Sequence, residues 1–167
     1  MPPGLRRLGQ RQGPRPRFAP QWPCTQLDQT ADDETCNALK AAILALPGVS
    51  ALHGPFGAPG AGFTMDDDLA RGQPEAFVGD GSWMALRPCG SMHLSLRPEW
   101  AQKVVNRGWA TVHPFARYMA GAVPPQSLVV FAPRDQAELR IAIRIAGAAH
   151  AYAMGRVGDF ILPDTRW

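Results

Sequence analysis

The chain has 167 residues, a length that fits one domain with a modest core. Its net charge is +3, but five arginines precede residue 18 and the remainder holds twelve basic and fourteen acidic residues. A nucleic-acid-binding domain carries its basic residues on an ordered face, so this charge pattern argues against that class. No run approaches the roughly 18 consecutive apolar residues of a membrane helix, and we expect no membrane span.

Residues 1–23 are rich in Pro, Gly, Arg and Gln and almost lack aliphatic side chains. Such a segment buries too little apolar surface to offset the entropy lost on ordering, so we predict a disordered basic arm. Arg6-Arg7 is not followed by the apolar run of an export signal, and we expect no secretory signal. The arm's basic residues predict weak, non-specific and salt-sensitive binding of anions. They are Arg6, Arg7, Arg11, Arg15 and Arg17.

The cysteines Cys24, Cys36 and Cys89 are odd in number and lack Cys-x-x-Cys spacing. This pattern is typical of free thiols in a reducing compartment, and we expect a cytoplasmic protein. The acidic run at 66–68 lacks the alternating spacing of a calcium loop, and no metal site is predicted.

Residues 24–155 are predicted to form a single α+β domain, and residues 156–167 a C-terminal tail. We expect a mainly antiparallel sheet of three to five strands, packed on helices on one side. Capping residues at one end and Gly or Pro at the other mark the helices. They begin near Thr30, at Pro98 and at Asp135, and end at Pro47-Gly48, Gly108 and Gly155.

Short apolar or alternating runs bounded by turn residues predict the strands. A Gly- and Pro-rich stretch at 54–62 predicts a loop. The last helix has a wide apolar arc, which either deep burial in the monomer or a homodimer would cover. The strand runs are 49–52, 82–88, 92–96, 109–113 and the one that begins at Leu128.

Side chains alternate between the two faces of a strand. In the run at 92–96, Met92, Leu94 and Leu96 share one face, and His93 lies on the other. If the small apolar faces pack on the helices, the opposite face is open and unusually rich in Trp, His and Arg. The side chains predicted to gather there are Trp83, Arg87, His93, Trp109 and His113.

This set offers several kinds of chemistry. His93 and His113 can act as general acid and base or as two metal ligands. Trp83 and Trp109 can support an aromatic or apolar ligand, and the Arg87 guanidinium can hold a carboxylate. Alternatively, the histidines are structural, and His113 before a proline caps a strand end.

Three motifs occur in order along the chain: Gly-Ser-Met-His at 90–93, Gly-Trp-Ala-Thr-Val-His-Pro at 108–114 and Pro-Arg-Asp at 133–135. With these motifs the chain resembles, over roughly residues 39–154, the luciferase-domain family of small bacterial and fungal proteins. The family's name describes a domain and does not imply a demonstrated light reaction in each member.

Family members often read Glu-Phe-Ala-His-x-His-Pro where this chain has Ser-Trp-Met-Ala-Leu-Arg-Pro at 82–88. The paired histidines are therefore replaced by Ala85 or Leu86 and Arg87, whereas His93 and His113 match the resemblance.

Two functional hypotheses follow. The favoured one is a binding module that holds a small organic ligand or a partner protein on the Trp/His/Arg face. The alternative is an enzyme, an oxygen-using oxidoreductase in the luciferase sense, with His93 and His113 as acid and base. We favour the first because the sequence has no nucleophile elbow, phosphate loop or dinucleotide fingerprint. No cofactor is predicted from the sequence, and its identity is unknown.

Overall fold

A computed structural model of the chain describes residues 1–119, 121–157 and 160–161. Within these residues the chain forms five α-helices and a six-stranded sheet, so the α+β class is confirmed. The helices are α1 (Pro3–Arg6), α2 (Asp33–Leu44), α3 (Pro98–Asn106), α4 (Pro114–Tyr118) and α5 (Gln136–Ala153).

The six strands of the sheet pair antiparallel throughout, in the order β1-β2-β3-β4-β6-β5. They are β1 (Val49–His53), β2 (Ala61–Met65), β3 (Met84–Leu86), β4 (Met92–Ser95), β5 (Ala110–Val112) and β6 (Ser127–Val130). A separate short pair joins β7 (Arg156–Val157) to β8 (Phe160–Ile161) within the predicted tail, of which residues 158, 159 and 162–167 lie outside the described part.

The sheet has one strand more than the maximum of five that we predicted. The additional strand is β2, which begins inside the stretch 54–62 that composition marks as a loop. The strand begins in a glycine-rich stretch, so its composition does not indicate the alternation in which Phe63 and Met65 are buried. Pairing with β1 over five positions, from Val49 opposite Met65 to His53 opposite Ala61, supplies the backbone hydrogen bonds of this strand.

The helix α5 begins after its predicted cap, Asp135, whereas α2 begins after Asp32 rather than near Thr30 as predicted. The Asp32 carboxylate accepts a hydrogen bond from the Thr35 backbone N–H at 2.7 Å, and α2 starts at the next residue. The Asp135 carboxylate likewise accepts from the Glu138 backbone N–H at 2.8 Å at the start of α5. Each cap satisfies a donor that the first turn of a helix leaves free.

One face of the sheet forms the hydrophobic core with the helices. Met92 and Leu94 of β4 are fully buried there, together with Leu139 and Ile145 of α5. The wide apolar arc of α5 is covered within the chain, because its buried side chains run almost the whole length of the helix. In the described part of the chain, no helix is both long and apolar enough to cross a membrane.

The N-terminal segment 1–23 differs from the disordered arm that its composition predicts. Leu5 is fully buried and Leu8 is 4% exposed, and both belong to the hydrophobic core. The Trp109 indole N–H donates to the Gly9 carbonyl at 2.8 Å, which fixes the chain beside β5. The prediction of disorder was based only on the apolar residues within the arm. It failed because the two leucines pack into a core that α3 and α5 supply.

Arginines of the arm also find partners on the domain. Arg11 is buried and lies 3.7 Å from the carboxylate of Glu138, which also pairs with Arg134. The Arg15 guanidinium donates to the Thr111 hydroxyl at 2.8 Å. The segment therefore continues across the sheet face opposite the helices, and that face is covered where the sequence predicts it to be open.

Candidate functional site

His93 lies at the centre of the covered sheet face. In β4 it is paired with Ala85 of β3 and Val129 of β6, and Val129 is paired in turn with Thr111 of β5. Neighbouring positions on β4 face the helix core, so alternation explains why the imidazole points the other way. The His93 side chain is 2% exposed, and neither ring nitrogen has a hydrogen-bond partner among the described residues.

His113 stacks on His93. The two ring centroids are 4.2 Å apart and the planes are inclined by 28°. The His113 backbone N–H donates to the Ser127 carbonyl at 2.8 Å, and its ring Nδ1 accepts from the Phe115 backbone N–H at 3.1 Å, capping α4. Because Nδ1 accepts, the neutral ring carries its proton on Nε2. That atom is buried without a partner among the described residues.

Both imidazoles are held neutral at pH 7. Burial, followed by His113 and then Arg87, lowers the pKa of His93 well below 6.5. Burial and then Arg87 lower the pKa of His113 from 6.5 to about 4. The cause is the cost of charging a ring away from water, increased by a nearby positive charge.

Arg87 follows β3 on the same face and is 4% exposed. Neither of its terminal nitrogens has a hydrogen-bond partner among the described residues. Its guanidinium carbon lies 5.2 Å from the centroid of the Trp22 ring. Burial lowers the pKa of Arg87, and only the thiols of Cys24 and Cys89 oppose that shift, but a guanidinium remains charged in a protein.

Two serine hydroxyls extend this polar cluster along the sheet. Ser95 lies two residues from His93 on β4 and is paired with Ser127 of β6. Both side chains are fully buried, and neither hydroxyl has a partner among the described residues. We use the name buried polar cluster for Arg87, His93, Ser95, His113 and Ser127.

Aromatic side chains separate the buried polar cluster from the surface. Trp22 stacks on Phe115 with centroids 5.2 Å apart, and its ring lies 6.4 Å from that of His113. A cavity of about 180 Å³ lies beside them, and we call it the aromatic cavity. Its lining residues are Trp22, Phe56, Phe115, Ala122 and Val123.

The structure differs from the predicted site at the two tryptophans. Trp83 is fully buried in the helix-side core, with its ring 5.3 Å from that of His150. Trp109 also belongs to that core and donates to Gly9. Each tryptophan immediately precedes the first residue of its strand, β3 or β5, and lies in the same core as that residue.

Two aromatic side chains of the site escaped the sequence prediction. Trp22 belongs to the arm that composition marks as disordered, and Phe115 belongs to α4, for which no helix is predicted. The signal that could have identified Trp22 is its size, because a large ring in a segment poor in apolar residues favours a docking contact.

Comparison with known families gives one match in this region. Residues 84–149 match the family model described as Luciferase domain. This match supports a relation of the segment to the luciferase-domain family. The match runs from β3 into α5 and contains all five members of the buried polar cluster, whereas Trp22 lies outside it. No curated protein and no solved structure matches the chain.

Proposed function

We propose that this luciferase domain is a small-molecule binding module. The ligand would place a polar group against the buried polar cluster and an apolar group in the aromatic cavity. The observation that supports this most strongly is the concentration of buried polar atoms without hydrogen-bond partners among the described residues. Each such atom costs about 1–3 kcal/mol of stability, so a ligand that supplies partners to several of them stabilises the folded chain.

The size of the aromatic cavity limits the apolar group. A cavity of about 150 Å³ accepts benzene, so the 180 Å³ here suits a single aromatic ring. A second cavity of about 350 Å³ shares Phe56, Ala122 and Val123 with it and offers room for a longer ligand. Ring faces of Trp22 and Phe115 favour an aromatic group over a purely aliphatic one.

Trp22 connects the two halves of the proposed site. Its ring lies over the Arg87 guanidinium and also lines the aromatic cavity. A ligand that touches both halves must displace or turn this indole. The arm residue thus serves as the cover of the site.

A screen of one-ring and two-ring aromatic acids, amides and alcohols by ligand-observed NMR tests the proposal. We expect binding that Trp22→Ala and Phe115→Ala weaken by at least about tenfold, since each removes an aromatic wall. Tyr118→Ala is the matched control, because Tyr118 lies on α4 like Phe115 but is 77% exposed. Ligands that bind all four proteins equally, or no ligand at all, would reject a binding module at this site.

The alternative proposal is an oxygen-using enzyme in which His93 and His113 exchange protons with the ligand. The stacked rings and the proton on Nε2 of His113 favour it. The low pKa of His113, about 4, makes it a weak base at neutral pH, and for this reason we rank the enzyme second. Aerobic turnover of a bound ligand, detected by mass spectrometry and lost in His113→Asn, would reverse that order.

A further inference from the structure

We propose that the ligand of this site carries a single negative charge, on a carboxylate held by Arg87. The inference rests on the proposed function and names the class of its ligand. It follows from the charge of the buried polar cluster, from the free edge of the guanidinium and from the hydroxyls around it.

Arg87 is a buried positive charge to which the described residues give no negative partner. Among the described residues no carboxylate forms an ion pair with it, and the groups that favour its charge are two thiols, Cys24 and Cys89. Buried charges in folded proteins are normally paired, because an unpaired one loses its hydration without compensation. The remaining arrangement consistent with this rule is a counter-charge that arrives with the ligand.

The geometry of Arg87 suits a planar oxyanion. The Arg87 guanidinium lies over the Trp22 ring, with its carbon 5.2 Å from the ring centroid. Both terminal nitrogens are without partners among the described residues, so the edge presents two parallel donors that match the two oxygens of a carboxylate.

The neighbouring side chains set the number of charges. His93 and His113 are neutral at pH 7, and Ser95 and Ser127 contribute hydroxyl donors without charge. The cluster therefore balances one negative charge. A dianion such as a phosphate monoester would leave one charge unbalanced in a buried site, which disfavours it.

Benzoate, benzamide and phenylphosphonate test the inference, since they share one aromatic ring and differ in the charge of the head group. Isothermal titration of the full chain measures each affinity. We expect benzoate to bind at least about tenfold more tightly than benzamide, the gain from two charge-assisted hydrogen bonds, and more tightly than phenylphosphonate at pH 8. Arg87→Gln should remove the preference, and Arg87→Lys should keep part of it.

Arg97→Gln is the matched control for the loss of an arginine. Arg97 also lies over a tryptophan, 5.5 Å from the Trp100 ring, but it has a carboxylate partner in Glu99 at 3.0 Å. Its replacement should leave the preference for benzoate unchanged.

The outcomes separate the two proposals. Equal binding of benzoate and benzamide by the native chain overturns the inference that the ligand carries a carboxylate, but it does not contradict the binding module. Tighter binding of phenylphosphonate than of benzoate overturns the inference that the ligand carries a single negative charge. If neither benzoate nor benzamide binds, the inference that the ligand carries a carboxylate is overturned, and the wider screen of aromatic ligands decides the binding module. Because these comparisons use the native chain, they hold even if Arg87→Gln does not fold.

Discussion

At the scale of single residues, the stacked histidines and Arg87 decide what the site can hold. Two imidazolium rings with centroids 4.2 Å apart would repel each other, and Arg87 would repel both. Burial strengthens this repulsion, so the cluster keeps one positive charge and two neutral rings. The rings then act as hydrogen-bond donors and acceptors, which favours recognition of a ligand over strong base catalysis.

His93→Leu should separate the functional from the structural contribution of the ring. The ring nitrogens of His93 have no partners among the described residues, so an apolar side chain of similar size removes a buried polar penalty. We expect the free energy of unfolding to stay unchanged or to rise by up to about 2 kcal/mol, while ligand binding falls. Urea denaturation measures the stability.

His150→Leu and Leu94→Ala provide the comparison. The His150 ring forms a hydrogen bond with the Pro47 carbonyl at 2.9 Å, and its loss should cost about 1 kcal/mol. Leu94 is fully buried, and its truncation should cost about 2–5 kcal/mol. If His93→Leu destabilises the protein as much as Leu94→Ala, the ring is a structural core residue and its place in the site is lost.

At the scale of elements, the sequence predicted the features that depend on residues close together in the chain, such as helix caps and strand alternation. The capping residue Asp135 correctly predicted the start of α5, because the cap and the first turn lie within four residues of each other. The start of α2 was predicted near Thr30, and the structure has its cap at Asp32. Alternation placed Arg87, His93 and His113 on one face. It did not place Trp83, which lies in the helix-side core together with its neighbour Met84.

Elements that depend on distant partners escaped the sequence. The strand β2 is stabilised by pairing with β1 and β3 rather than by its own glycine-rich composition. The arm docks because Leu5 enters a core formed elsewhere and Arg11 meets Glu138. The Trp22 ring reaches Arg87 and His113 in the same way. The contacts of the arm and of Trp22 join residues far apart in the chain, and composition within a short window contains no information about them.

Leu5→Ala tests whether the arm docks as the structure has it. The side chain is fully buried in the core, so truncation should lower the free energy of unfolding by about 2–5 kcal/mol. Leu27→Ala is the matched control, because Leu27 is 55% exposed and its loss should stay within about 0.5 kcal/mol. A disordered arm predicts no effect from either variant, and chemical denaturation distinguishes the two results.

At the scale of the whole molecule, the sheet has a different cover on each face. Helices α2, α3 and α5 bury the apolar face, and the N-terminal segment covers the polar one. The family match contains the buried polar cluster but not the segment that carries Trp22, so the cover lies outside the matched residues. A homodimer, a cytoplasmic location and weak anion binding by the arm stay predictions.

The three buried histidines make stability depend on pH in a defined window. Burial is the main cause that lowers the pKa of His93, His113 and His150 in the folded chain, for His113 from 6.5 to about 4. Between these two values the unfolded chain binds more protons, so the free energy of unfolding falls as the pH falls from about 6.5 towards 4. The loss from His113 alone is on the order of 3 kcal/mol.

Urea denaturation between pH 7 and pH 5 measures this loss, and the range avoids most of the carboxylate titration. Two carboxylates also make the folded chain less stable as the pH falls, but at lower pH. The pKa of Glu138 is lowered by Arg134 in spite of burial, and the pKa of Asp28 is lowered by Arg17. His113→Asn keeps an acceptor for the Phe115 N–H and removes the titrating ring, so its stability should depend less on pH. A native profile that is flat over this range would show that the imidazoles titrate near their ordinary value in the folded chain, and the neutral cluster on which the single charge depends would be excluded.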